Sequence, residues 1–201
     1  MDWNPFAPLG SGHYDVLHLY DFRDMQSVAT IYAALEPYDE CVLLAWSMGV
    51  WGGQRLFLHH ANRFDRIIAI NGTLCPVDNR YGIPRDLFAG TMAGWSESSR
   101  RKFYRRLTGG GEIEQKFLKH QPRRTLVDQQ LELAYYLADA DCTARQHGIY
   151  REVVICDHDR IVPTANQLSY WGNDIVLRAG GHFPFYSWKD WGQLLSEIHS
   201  K

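Results

Sequence analysis

No stretch of this 201-residue sequence approaches the roughly 18 consecutive apolar positions that a membrane span requires, so a membrane protein of the helical kind is not expected. The opening, MDWNPFAPLG, has neither a basic n-region nor an apolar h-region, so no secretory signal is read there. There is no excess of charge of either sign: 21 Lys and Arg stand against 23 Asp and Glu, a formal net charge of −2. That balance argues against a chain built to wrap nucleic acid. Cysteine is scarce, at four (Cys41, Cys75, Cys142, Cys156), and no two form a C-x-x-C pair. A disulfide framework or a zinc site is therefore not expected, and the default is reduced thiols in a cytosol. Internal repeats and low-complexity tracts are also missing.

What is present is ordinary globular material, 45% hydrophobic and 22% charged, enough for one domain with an inserted subdomain. Short apolar runs alternate with helical patterns. Residues 16–20, 41–45, 66–70, 153–156 and 175–177 read as strands. Residues 27–35, 51–60, 165–171 and 188–199 read as helices. The run at 41–45 is continuously apolar, as in a strand buried on both faces. Strand and helix in alternation predict an α/β chain with a mostly parallel sheet covered by helices on both faces. Residues 73–144 break the rhythm. They offer no strand, are punctuated by Pro76, Pro84, Gly109 to Gly111 and Pro122, and carry a helical stripe of Leu126, Val127, Leu131, Leu133, Ala134 and Leu137. The organisation expected is a core in two parts, 1–72 and 145–201, with a helical lid insertion over 73–144.

The run 41–45 ends in A-W-S-M-G, with Ser47 among small residues. A serine on a sharp strand-to-helix turn needs small neighbours, and G-x-S-x-G is the usual solution; Ala45 replaces its first glycine here. The blander alternative is that small residues simply let a helix pack on a strand. On the turn reading, the following helix N-terminus aims backbone N–H groups, Met48 first, at a developing oxyanion. A serine of ordinary acidity is inert without a base. "RAGGHFPF" places His182 just past the last strand, whereas His13, His18, His59, His60, His120, His147, His158 and His199 have no such setting. "VVICDHDRIVP" offers Asp157 and Asp159, again past a strand. Asp159 is favoured because Val162 and Pro163 fix the exit of its loop; Asp157 is the alternative, or a brace for the turn. Serine, acid and histidine in that chain order suit a Ser-His-Asp device. A metal site at Cys156, Asp157, His158 and Asp159 is the rival use. It lacks a second cluster, so no metal and no cofactor are expected.

These residues carry a resemblance. A-W-S-M-G, D-x-x-V-P and G-G-H-F-P resemble the α/β-hydrolase fold. M-D-W-N-P-F (1–6), Y-D-V-L-H-L-Y-D (14–21), I-N-G-T (70–73), C-P-V-D (75–78) and G-I-P (82–84) are similar to the BioG type of pimeloyl-[acyl-carrier-protein] methyl ester esterase, the DUF452 family, over nearly the whole chain. The resemblance implies hydrolysis of that methyl ester in biotin synthesis, with Ser47 as nucleophile, Asp159 as acid and His182 as base. Members of the family begin with an apolar strand and a G-W-G turn just before M-D-W-N-P-F, and this chain starts at that Met. The resemblance implies that this N-terminal strand is missing here, so that the true start lies upstream or the chain is an impaired fragment. A thioesterase or small-ester hydrolase with the same three residues, and a hydrolase-fold binding module without activity, are the competing readings.

"WSESSRRKFYRRL" (95–107) sets Arg100, Arg101, Lys102, Arg105 and Arg106 against Glu97 alone. Ser96 or Ser98 caps the start of such a helix, Phe103, Tyr104 and Leu107 anchor it, and Arg123 and Arg124 extend the patch. A charge run is usually just a solvated face. Because acyl-carrier proteins are acidic, the resemblance makes this helix their expected docking surface. RNA is the competitor, without a motif to support it. A cytoplasmic monomer completes the expectation.

Overall fold

The computed structural model describes residues 1–23, 28–140, 142 and 148–198. Four parallel strands form one sheet in the order β1-β2-β3-β4: β1 (Val42–Trp46), β2 (Arg66–Ile70), β3 (Glu152–Cys156) and β4 (Val176–Arg178). In register, Ala45 lies opposite Ala69 and Trp46 opposite Ile70; Val154 links β2 to β4 through Ile70 and Val176. Ile67, Ile68, Ala69 and Ile70 are all fully buried. Since successive side chains point to opposite faces, β2 is covered on both. Helix α1 (Val28–Leu35) precedes β1, α2 (Met48–Phe57) links β1 to β2, and α7 (Thr164–Trp171) links β3 to β4; α8 (Trp191–Glu197) ends the fold.

Between β2 and β3 the described residues form four helices and no strand: α3 (Arg85–Ala93), α4 (Glu97–Thr108), α5 (Gly111–Lys119) and α6 (Leu126–Asp139). Ser96 caps α4 in a capping box. Its Oγ accepts from Ser99 N at 3.3 Å, and Ser99 Oγ accepts from Ser96 N at 2.8 Å. Tyr104 and Leu107 bury the inner face of α4. The α6 stripe is only half internal. Tyr136 is buried and Leu133 and Leu137 partly so, but Val127 and Leu131 are exposed. Hydrophobic spacing marked the helix, and packing chose a face rotated from the one the leucines suggested.

Two sequence expectations fail. Residues 16–20 form no strand, and Val16, Leu17 and Tyr20 are exposed. β1 is the edge strand on that side, and both it and the 14–20 segment line one cavity instead of pairing. An apolar alternating run makes a strand only where a partner offers its hydrogen bonds. The cysteines are the second failure. Cys41 and Cys156 are free and buried, but Cys75 and Cys142 form a disulfide, across 67 residues of sequence. Cys75 follows β2 and Cys142 lies just beyond α6, so the bond joins the two roots of the helical insertion. Their proximity is a product of the fold and leaves no trace in spacing. It removes the thiol argument for a reducing compartment. Among the described residues no helix is long and apolar enough to cross a membrane. His147, His199 and the last expected boundary at 144 lie outside the described residues.

Candidate active site

Ser47 sits between the end of β1 and the start of α2 with φ 58° and ψ −126°, a backbone region that side chains rarely occupy. Its N–H donates to Ile70 O at 3.0 Å, which ties the turn to the end of β2. Gly72 follows two residues later on that neighbouring strand exit. A Cβ there would stand 2.4 Å from Ser47 O and 2.7 Å from Val50 Cγ2. The close approach of two backbones, rather than the motif's own second glycine, is what demands smallness. A Cβ on Gly49 would meet nothing nearer than Phe22 Cζ at 3.9 Å.

The three residues expected to act together do meet. His182 Nε2 lies 2.8 Å from Ser47 Oγ, and His182 Nδ1 lies 2.7 Å from Asp159 Oδ2. The carboxylate can only accept, so Nδ1 carries the proton and Nε2 accepts from the serine hydroxyl. Asp159 is nearly saturated. Its Oδ1 accepts from Ile161 N at 2.8 Å and Val162 N at 3.0 Å, and Oδ2 accepts from Gln167 Nε2 at 2.9 Å. These bonds and full burial of both side chains leave the pair one geometry. The carbonyl of His182 is itself held, by Trp46 Nε1 at 2.8 Å and Asn71 Nδ2 at 3.0 Å. Asp157 lies apart. It accepts from Gly180 N at 3.0 Å and pairs with His158 Nδ1 at 2.6 Å, and the Gly180 bond, then His158, holds its carboxyl below the ordinary range. It braces the β3 and β4 exits. Cys156 is buried, and burial pushes its thiol up to about 11. Asp157 and His158 thus engage each other while Asp159 is spent on His182, and among the described residues no group of three or more His, Cys, Asp or Glu is placed to hold a metal ion.

Met48 is the first residue of α2, so its N–H is one of the four that no helical carbonyl can take. A cavity of about 920 Å³ opens over Ser47 and His182. The insertion roofs it with Phe88, Trp95, Phe103, Arg106, Leu107 and Tyr136. The basic residues of α4 divide. Arg101, Lys102 and Arg105 are exposed. Arg100 binds Glu97 at 2.7 Å, and Arg106 turns toward the cavity, its Nε buried without a partner. Arg124 does not extend the patch, because Asp128 and Glu132 engage it at 2.5 Å each. Sequence reasoning gave no role to Asn71, Trp46 and Gln167, which hold the two loops in place. Their one signal is their position, each beside a strand end or helix start.

Comparison with known proteins gives the family and the fold. The profile of the family described as "Pimeloyl-ACP methyl esterase BioG" matches residues 9–194. A malonyl-[acyl-carrier protein] O-methyltransferase of Bacteroides fragilis is 31% identical over 186 residues, which are 91% of this chain and 37% of that protein. The chain thus spans little more than a third of that relative. The crystal structure of BioG from Haemophilus influenzae superposes with a TM-score of 0.70 at 29% identity, over 79% of this chain and 74% of that one. A hydrolase from Pseudomonas aeruginosa shares the fold, with a TM-score of 0.61 at 17% identity over 95% of this chain and 75% of that one. The architecture is that of the α/β-hydrolases.

Proposed function

The chain belongs to the BioG family, and from that premise we propose that it is a serine carboxylesterase hydrolysing the methyl ester of pimeloyl-acyl-carrier protein, at the pimelate stage of biotin synthesis. The observation that carries the reading is the unbroken hydrogen-bond line from Ser47 Oγ through His182 to Asp159. The family's description supplies the ester and its carrier. The Bacteroides fragilis relative, of which this chain covers 37%, is likewise named for an acyl-carrier-protein substrate.

In this mechanism Ser47 Oγ attacks the ester carbonyl while its proton passes to His182 Nε2. Asp159 holds the imidazole and stabilises its cation. The N–H of Met48 faces the oxyanion. Collapse of the tetrahedral intermediate expels methoxide, which takes the proton from Nε2 and leaves as methanol. Water, deprotonated by the same imidazole, then releases the free carboxylate and restores Ser47. The cavity has the volume of a small-molecule site and an apolar roof for the acyl chain. Exposed Arg101, Lys102 and Arg105, on the helix whose Phe103, Arg106 and Leu107 line the cavity, suit an acidic carrier protein.

A fluorophosphonate is expected to label wild-type protein and not Ser47→Ala. Absence of labelling in the folded wild type overturns the nucleophile assignment. Turnover of the carrier-bound methyl ester, compared with the carrier-bound thioester and a p-nitrophenyl ester, separates this esterase from a thioesterase of the same fold. Charge reversal of Arg101, Lys102 and Arg105 to Glu is expected to raise KM for the carrier-bound ester at least about tenfold and to spare the small ester. Equal losses on both substrates overturn the docking surface.

A further inference from the structure

We propose that Asn71 is a positioning residue: its single buried side chain keys the loops bearing Asp159 and His182 to the turn bearing Ser47. The proposal rests on the serine-hydrolase reading of the site. Asn71 is the residue after β2, the strand between the one that delivers Ser47 and the one that delivers Asp159. It is 1% exposed and stands at φ 48°, a left-handed conformation that asparagine tolerates better than other side chains. Its own N–H donates to Val154 O at 3.0 Å, which fixes the backbone to β3.

Each polar atom of the side chain is used on a different loop. Oδ1 accepts from Cys156 N at 2.7 Å, three residues before Asp159. Nδ2 donates to His182 O at 3.0 Å and Gly181 O at 3.3 Å. The amide can point only this way, because Cys156 offers a donor and the two carbonyls are acceptors. Trp46, the residue before Ser47, donates to the same His182 carbonyl from its Nε1 at 2.8 Å. The carbonyl of His182 is thus the joint where the β1, β2 and β4 exits meet, and Asn71 carries the connection on to β3. The partners of the Asn71 side chain are backbone groups, whereas Ser47 Oγ bonds His182 Nε2. The role of Asn71 is to keep the imidazole from drifting off the Ser47–Asp159 line, where a displacement of about 1 Å costs about 10²-fold in rate.

The test uses the full chain with two variants. Asn71→Asp keeps the shape and the acceptor but loses both donors. Asn71→Gly relieves the positive φ and deletes the side chain, so it serves where the buried carboxylate prevents folding. Three quantities are read at a temperature where the variant is folded by circular dichroism: the rate of Ser47 labelling by a fluorophosphonate, the low-field proton resonance of the His182–Asp159 hydrogen bond, and the thermal midpoint. Labelling is expected to slow about 10²-fold, with loss of the low-field resonance, in a variant that remains folded. A folded variant that labels at the wild-type rate and keeps the resonance overturns the proposal, whatever its thermal midpoint. If the wild type resists the fluorophosphonate, the nucleophile assignment falls separately and the resonance alone decides: its survival overturns the role of Asn71, its loss sustains it.

Discussion

At Ser47 the backbone holds φ 58° and ψ −126°, a conformation that costs about 1–3 kcal/mol and persists only where its surroundings impose it. The surroundings here are the Ile70 carbonyl that takes the Ser47 N–H and the bare Cα of Gly72 against the Ser47 carbonyl. Two alanine substitutions separate these effects. Gly72→Ala places a methyl 2.4 Å from a backbone oxygen. Neither strand end can yield without moving Ser47, so a loss of about 3 kcal/mol or more and collapse of fluorophosphonate labelling are expected. Gly49→Ala meets only Phe22 at ordinary contact distance and is expected to fold and label much as the wild type does. Denaturant midpoints and labelling rates measured side by side check this; the reverse order would refute it. The motif made Ser47 easy to find and pointed to the wrong glycine. Ser47, Asp159 and His182 could be read because each follows an apolar run, which sequence displays. Asn71 and Gly72 follow one too, but their roles depend on which strands are neighbours, and sequence order does not display that.

Among the elements, α6 is attached to the core by charge as well as by packing. Arg124 and Arg23 both bind Asp128, at 2.5 and 2.6 Å, and Arg23 also pairs with Asp21. The Arg124 hydrogen bond, then Arg23, holds the Asp128 carboxyl down at about 2, against an ordinary 3.8. A carboxyl depressed in the folded state contributes stability above its unfolded value and loses it as protons bind. The contribution of Asp128 is therefore complete above about pH 4 and fades toward pH 2. The side chain is 37% exposed, so solvent screens the pair and the gain is modest. Asp128→Asn is expected to lower the thermal midpoint at pH 6 and to match the wild type near pH 2. A difference that persists unchanged to pH 2 would show that the aspartate acts through something other than its charge. Strands are legible where a short apolar run marks them, whether fully buried like β2 or half-exposed like β4. The expected span 66–70 coincides with β2 because that strand is apolar on both faces. The segment 16–20 departs from its expected strand because alternation states what a strand would bury and says nothing of whether a partner is there. Helix α5, short and with Ile113 exposed, left no periodic mark.

At the scale of the whole molecule the sheet is unequally protected. Ser47 N donates to Ile70 O and Cys41 O accepts from Asp65 N, so the odd-numbered backbone groups of β1 face β2. By alternation, those of Val42, Leu44 and Trp46 face away from β2, and the 14–20 segment lines the same cavity as β1. Val16, Leu17 and Tyr20 of that segment are exposed, and among the described residues no strand pairs with the outer edge of β1. Such an edge is a template for pairing with further chain. Native-state hydrogen exchange is expected to show the amides of Val42 and Leu44 exchanging faster than those of Ile68 and Ile70 by about two orders of magnitude or more. Uniform protection across β1 and β2 at high dilution would refute the open edge. Protection at Val42 and Leu44 that rises with protein concentration would instead mean that the edge finds its partner in a second copy. The outcome also bears on the chemistry, because the same edge strand presents Ser47: whatever orders its outer side also steadies the turn on which the hydroxyl is held.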